Sequence, residues 1–114
     1  MSTLNELRDQ CYKTAVEHGW HEKEANVGEK IALMHSELSE ALEAYRDNKP
    51  LNMIYFTHVT EAHPKPDGVP VELADVIIRI LDFCGRYGID IEDAVQTKMA
   101  YNETRPYRHG GKVC

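Results

Sequence analysis

Residues 71–81, VELADVIIRIL, constrain this chain more than any other stretch. Apolar residues occupy more than one side of the helix that the pattern predicts, from about Pro70 to Tyr87. A helix that is hydrophobic nearly all round is buried on several sides. The chain has 114 residues, enough for one domain with one modest core. A helix so apolar in so small a chain predicts at least a dimer. The same helix also carries Glu72, Asp75, Arg79 and Asp82 at helical steps, a polar seam through an apolar element.

The remaining elements read as helices too. Leu4, Leu7, Cys11 and Ala15 form one stripe of an amphipathic helix over residues 3–18, with Gly19 at its end and Trp20 just beyond. A second helix, from roughly Ala25 to Arg46, turns Ile31, Met34, Leu38, Ala41, Leu42 and Tyr45 to one face. Pro50 cannot continue it. Residues 49–70 form a long connection rich in proline toward its end, of the kind that is often functional in compact domains. Within it, MIYFTHVT has strand-like composition but is too short and isolated to predict a sheet. Gly88 and Asp90 break and restart the chain before a fourth helix over about 91–103. The tail from about 104 onward is basic and Gly-rich and is expected to be irregular. The prediction is a single all-α domain over residues 1–114, a bundle of four to five helices that oligomerises.

Several function classes are excluded by what is missing. No apolar run approaches the roughly 18 residues of a membrane span. The first 20 residues lack a basic segment followed by an apolar stretch, so no signal peptide is expected and cytoplasmic residence is the default. Cys11, Cys84 and Cys114 are odd in number and widely spaced, which predicts reduced thiols. Lys plus Arg number 13 against 19 Asp plus Glu, a net charge of −6, which disfavours a nucleic-acid polymer as partner. A small anionic ligand remains compatible, because bound cations can reverse the sign inside a site.

Glu37 and Glu40 share a face of the second helix, as Glu72 and Asp75 do on the third. Taken alone, Glu37 and Glu40 read more simply as a solvated face, as Glu29 and Glu43 do. The apolar surroundings of Glu72 and Asp75 leave less room for that account. If the two helices pack antiparallel, the four carboxylates converge. Such a group is untenable without cations, and an all-oxygen donor set suits Mg²⁺ or Mn²⁺. A di-iron bundle needs Glu-x-x-His, and no histidine here has Glu three residues before it. The scattered histidines argue against zinc. Arg79 has two readings, a partner that neutralises Glu72 and Asp75 or a contact to phosphate. Lys98, Arg105, Arg108 and Lys112 gather near the C-terminus, with Lys98, Asn102 and Arg105 on one face if the helix persists. Cations beside a carboxylate-held metal suit a polyphosphate substrate, though a basic helix end is also favourable by itself.

The segments SELSEALEAY, VELADVIIRILDFC and KMAYNETRPYRHGGK, in that order, resemble the MazG-like all-α nucleoside triphosphate pyrophosphohydrolases, over roughly residues 4–112. That family pairs E-x-x-E on one helix with E-x-x-D on the next. The resemblance implies that Glu37, Glu40, Glu72 and Asp75 hold Mg²⁺ or Mn²⁺. It implies that Lys98, Asn102 and Arg105 contact phosphates, and that nucleoside triphosphates, dNTPs among them, are cleaved between the α and β phosphates. Glu37 or Glu40 would then orient or deprotonate the attacking water. It further implies a homodimer or homotetramer with sites near subunit interfaces. Some members carry an additional Glu where this chain has Ser36, which bears on the number of ions. Ser36 also keeps an alternative in play, a non-catalytic helical module that binds nucleotides or another protein. Trp20 has two readings, a stacking surface for the base and a core anchor. Tyr55 and Phe56 are further candidates for the base.

Overall fold

A computed structural model describes residues 1–24 and 26–106. Each helix begins where its local chemistry allows. Thr3 and Glu6 form a reciprocal capping box for α1 (Leu4–Glu17). Asn26 caps α2 (Val27–Arg46) by accepting from the Glu29 N–H at 2.8 Å. Pro70 sits in the first turn of α3 (Val69–Arg86). Asp90 accepts from the Asp93 N–H at 3.1 Å to start α4 (Ile91–Thr104). The chain is therefore mostly helical, as its periodicity predicts. None of the described helices is long and apolar enough to cross a membrane.

The connection between α2 and α3 contains a hairpin. Strands β1 (Tyr55–Thr57) and β2 (Lys65–Asp67) pair antiparallel, with Tyr55 opposite Asp67. The isolated strand-like segment thus finds its partner in a proline-bearing stretch, KPD, that composition marks as loop. Pro66 is tolerated because a two-stranded hairpin consists of edges only. Beyond β2, Gly68 adopts φ +115° and passes so close to the Met53 carbonyl that no side chain fits there.

Helix α3 is central, packed against α1 on one side and α2 on another. Close approach to α1 is made at Gly85, where a Cβ would lie 2.5 Å from Cβ of Tyr12. Helix α4 packs on α1 near its own start. The Asn5 N–H donates to Glu92 at 2.7 Å, Asn5 Nδ2 donates to Asp90 at 2.9 Å, and Arg8 donates to the Ile89 carbonyl at 2.8 Å.

The core is thin. The buried apolar residues among those described are Ala15, Ala41, Ala44, Val69, Val76, Leu81 and Cys84, and three of these are alanines. Large side chains on α2 (Ile31, Leu38, Leu42, Tyr45) and α3 (Leu73, Ile77, Ile78) stay exposed. The radius of gyration is 17.0 Å. A compact domain of this length has roughly 13 Å. Helix α4 has no buried residue.

Candidate metal centre

Helices α2 and α3 face each other along their acidic stripes. Glu37 from α2 and Glu72 and Asp75 from α3, all half-buried, each put one carboxylate oxygen within 4.8 Å of the others. Glu40, one turn beyond Glu37, is exposed and stands outside this close group, though its charge is felt at Glu72. The sequence-predicted pairs thus converge, three of the four acids tightly.

The acids pay a visible electrostatic penalty. The Glu72 carboxyl titrates above its ordinary range because it is desolvated, because Asp75, Asp67 and Glu40 repel its charge, and because Asp67 hydrogen-bonds its protonated form. Asp75 is likewise raised, by desolvation and then by Glu37, while Arg79 and Lys65 pull it down in part. Arg79 Nε donates to Glu37 Oε1 at 2.8 Å, an ion pair between α3 and α2. Arg79 therefore neutralises the acid opposite it rather than forming a ladder along its own helix. One guanidinium among this many carboxylates leaves net negative charge. Three clustered hard oxygen donors with unrelieved repulsion fit a divalent Mg²⁺ or Mn²⁺ ion.

Asp67 and Lys65 escaped notice in the sequence. They reach the cluster on β2, and Asp67 also accepts from the Gly68 N–H at 2.9 Å. Four residues separate Asp67 from Glu72, across a strand end and a glycine, so helical spacing could not have connected them. Tyr55, opposite Asp67, lies at this acidic end, where burial and then Asp67, Asp47 and Glu72 push its hydroxyl up. Phe56 is exposed.

The lower half of the α3 seam turns elsewhere. Asp82 Oδ1 pairs with His21 Nε2 at 2.7 Å, and both side chains are largely buried, at 17% and 6% exposure. These two residues line a cavity of about 390 Å³ between the turn after α1 and the faces of α2 and α3. Leu33, Met34 and Phe83 give its apolar surface, and Lys30, Arg79 and Trp20 complete the lining. Trp20 is 62% exposed, so the core-anchor reading fails. Gly19 at φ +77° turns the chain out of α1, and Trp20 then stands at the cavity instead of under it. Arg79 is shared, lining the cavity while bonded to Glu37 of the acid cluster.

Lys98 and Asn102 belong to α4 and Arg105 follows its end; the packing partner of α4 is α1 rather than the α2–α3 pair. Lys98 and Asn102 are exposed, and Lys98 Nζ lies 4.9 Å from the Tyr101 ring centroid. The helix ends at Thr104, and Arg105 is extended at ψ 144°, so it leaves the face that continued helix would have given it. Arg108, Lys112 and Cys114 lie outside the described residues. Cys11 is half-buried and Cys84 buried, both with free thiols.

No family model, curated protein or solved structure matches the chain.

Proposed function

We propose that this chain is a metal-dependent nucleoside triphosphate pyrophosphohydrolase of the MazG-like all-α type. It would split NTPs, dNTPs among them, at the α–β bond into nucleoside monophosphate and pyrophosphate. The observation that carries this reading is the shared position of Arg79. It joins a three-carboxylate cluster (Glu37, Glu72, Asp75) to a 390 Å³ cavity with an aromatic rim. A phosphate-bearing ligand with a flat ring needs such a pair of neighbouring sites.

Glu37, Glu72 and Asp75 would hold Mg²⁺ or Mn²⁺, with Glu40 close enough to add to the site's charge. The ion supplies positive charge against the triphosphate oxygens and a more acidic water. Glu40, exposed and outside the close group, would be the carboxylate left to take a proton from the attacking water. Arg79 neutralises developing phosphate charge, and Trp20 offers its face to the base.

The thin core and the exposed apolar stripes of α2 and α3 support a homodimer or homotetramer. Lys98, Asn102 and Arg105 are assigned to triphosphate contacts across the subunit interface, since their own helix packs away from the α2–α3 pair. One observation favours the alternative, a non-catalytic nucleotide-binding or protein-interaction module: the Glu37–Arg79 pair at 2.8 Å would occupy an oxygen that the ion needs. Incubation with each NTP and dNTP plus Mg²⁺ or Mn²⁺ tests both readings. Pyrophosphate release is expected. Orthophosphate as the first product refutes the α–β assignment, and stable binding of an intact triphosphate establishes the module.

A further inference from the structure

We infer that Asp82 selects the nucleobase, accepting a hydrogen bond from an exocyclic amino group, so that the cavity takes cytosine and adenine in preference to uracil and hypoxanthine. This rests on the pyrophosphohydrolase reading and adds to it which ring edge the cavity accepts.

The placement follows from helix geometry. Asp75, Arg79 and Asp82 succeed one another along the same side of α3. Seven residues of α-helix rise roughly 10 Å, about the reach of a nucleoside from its α-phosphate to the far edge of its base. With the triphosphate at the acid cluster and Arg79 in between, the base edge arrives at Asp82.

The chemistry of the lining then decides what edge is welcome. Asp82 is held in place by His21, whose Nε2–H donates to Oδ1 and leaves the second carboxylate oxygen as an acceptor in the cavity wall. The imidazole is itself fixed, 94% buried by its side-chain exposure of 6%, with its ring 5.2 Å from that of Tyr12 and its Nδ1 buried without a partner. A neutral imidazole with the proton on Nε2 is the form that leaves no orphaned donor there. Apart from the His21 Nδ1, which is fully buried, the other polar groups of the lining only donate. Arg79 is already engaged with Glu37, and Lys30 carries its charge at the end of a flexible four-carbon stem. Asp82 is therefore the rigid discriminating element. An amino group at C4 of a pyrimidine or C6 of a purine satisfies it, as Asp and Glu do with cytosine N4 elsewhere. A carbonyl at the same position sets oxygen against oxygen and leaves the second oxygen of Asp82 without a donor, with Oδ1 still held by His21. The cavity volume of about 390 Å³ falls in the range of small-ligand sites and does not by itself exclude purines.

The test uses two isosteric pairs, dCTP against dUTP and dATP against dITP, as their α,β-imido analogues with Mg²⁺ and the full-length protein. The readouts are dissociation constants by calorimetry and pyrophosphate release from the hydrolysable forms. The amino member of each pair is expected to bind roughly tenfold or more tighter. Asp82→Asn, whose amide can donate to a carbonyl, should reverse or abolish the preference in the pyrimidine pair. Ratios within threefold in both pairs overturn the inference without any variant. An unchanged ratio in a folded Asp82→Asn protein overturns it as well. If pyrophosphate is released equally from all four nucleotides, base selection by Asp82 fails while the pyrophosphohydrolase reading stands. If nothing binds and nothing is released, both fail.

Discussion

Replacing Asp75 by Asn separates an ion site from a scaffold. Its carboxylate shares a 4.8 Å neighbourhood with Glu37 and Glu72. At that distance each like-charged pair repels by roughly 3.5 kcal/mol at an effective dielectric of 20, and by roughly 0.9 kcal/mol in bulk water. The side chains are only half-buried and Arg79 offsets part of the charge, so about 1 kcal/mol is the working figure for the whole relief. Asn matches Asp in shape and carries no charge. Arg79 is not stranded by the change, because its near oxygen belongs to Glu37 at 2.8 Å. Asp75→Asn should therefore raise the metal-free Tm by about 4 °C.

Wild type should gain about 2.7 kcal/mol from Mg²⁺ at a hundred times its Kd, and the variant should lose most of that gain. The pH dependence has a definite sign. Glu72 and Asp75 titrate above their ordinary range in the fold, so the folded state binds protons more readily than the unfolded one. Their contribution to metal-free stability is greatest below the ordinary carboxylate range and is lost as pH rises through the raised values. Asp75→Asn should flatten that part of the profile, and saturating Mg²⁺ should reverse it. Melts with a chelator and with Mg²⁺, across pH, measure all of this. A fall of several degrees in the metal-free Tm, with Mg²⁺ stabilisation intact, would remove Asp75 from the site.

Light scattering should give at least twice the chain mass of 13.0 kDa. Leu38→Asp on the exposed α2 stripe should shift the protein toward monomer. Trp20, the single tryptophan, should lose emission intensity on titration with a nucleotide and Mg²⁺, and an unchanged spectrum would take it out of the ligand site. Gly85→Ala places a Cβ 2.5 Å from that of Tyr12 and should cost about 1–3 kcal/mol by forcing α1 and α3 apart, seen as a lower Tm. Asn5→Ala removes the two side-chain hydrogen bonds that Asn5 makes with Asp90 and the Glu92 N–H at the start of α4, and keeps the one from its backbone N–H to Glu92. Hydrogen exchange over residues 91–104 should then accelerate while α3 stays protected.

Helical periodicity, capping residues and the prolines and glycines were enough to read four helices from the sequence, each bounded within two or three residues of its place in the structure. These signals are local, set by neighbours within one turn. The pairing of Glu37 with Glu72 and Asp75 was legible for the same reason: three-residue spacing assigns each pair to one face, and little more is needed once two helices pack side by side. The sequence could not say which face meets which neighbour. Arg79 lies four residues after Asp75 yet bonds to Glu37, forty-two residues away, because α2 supplies the nearer carboxylate. Asp67 enters the acidic site through a strand pairing of three residues, too short to leave a periodic trace. His21 finds Asp82 and Trp20 reaches the cavity because Gly19 turns the chain at a positive φ. Contacts made across elements depend on how whole helices seat against one another, and that is settled by packing over many residues at once, which spacing along a single chain does not encode.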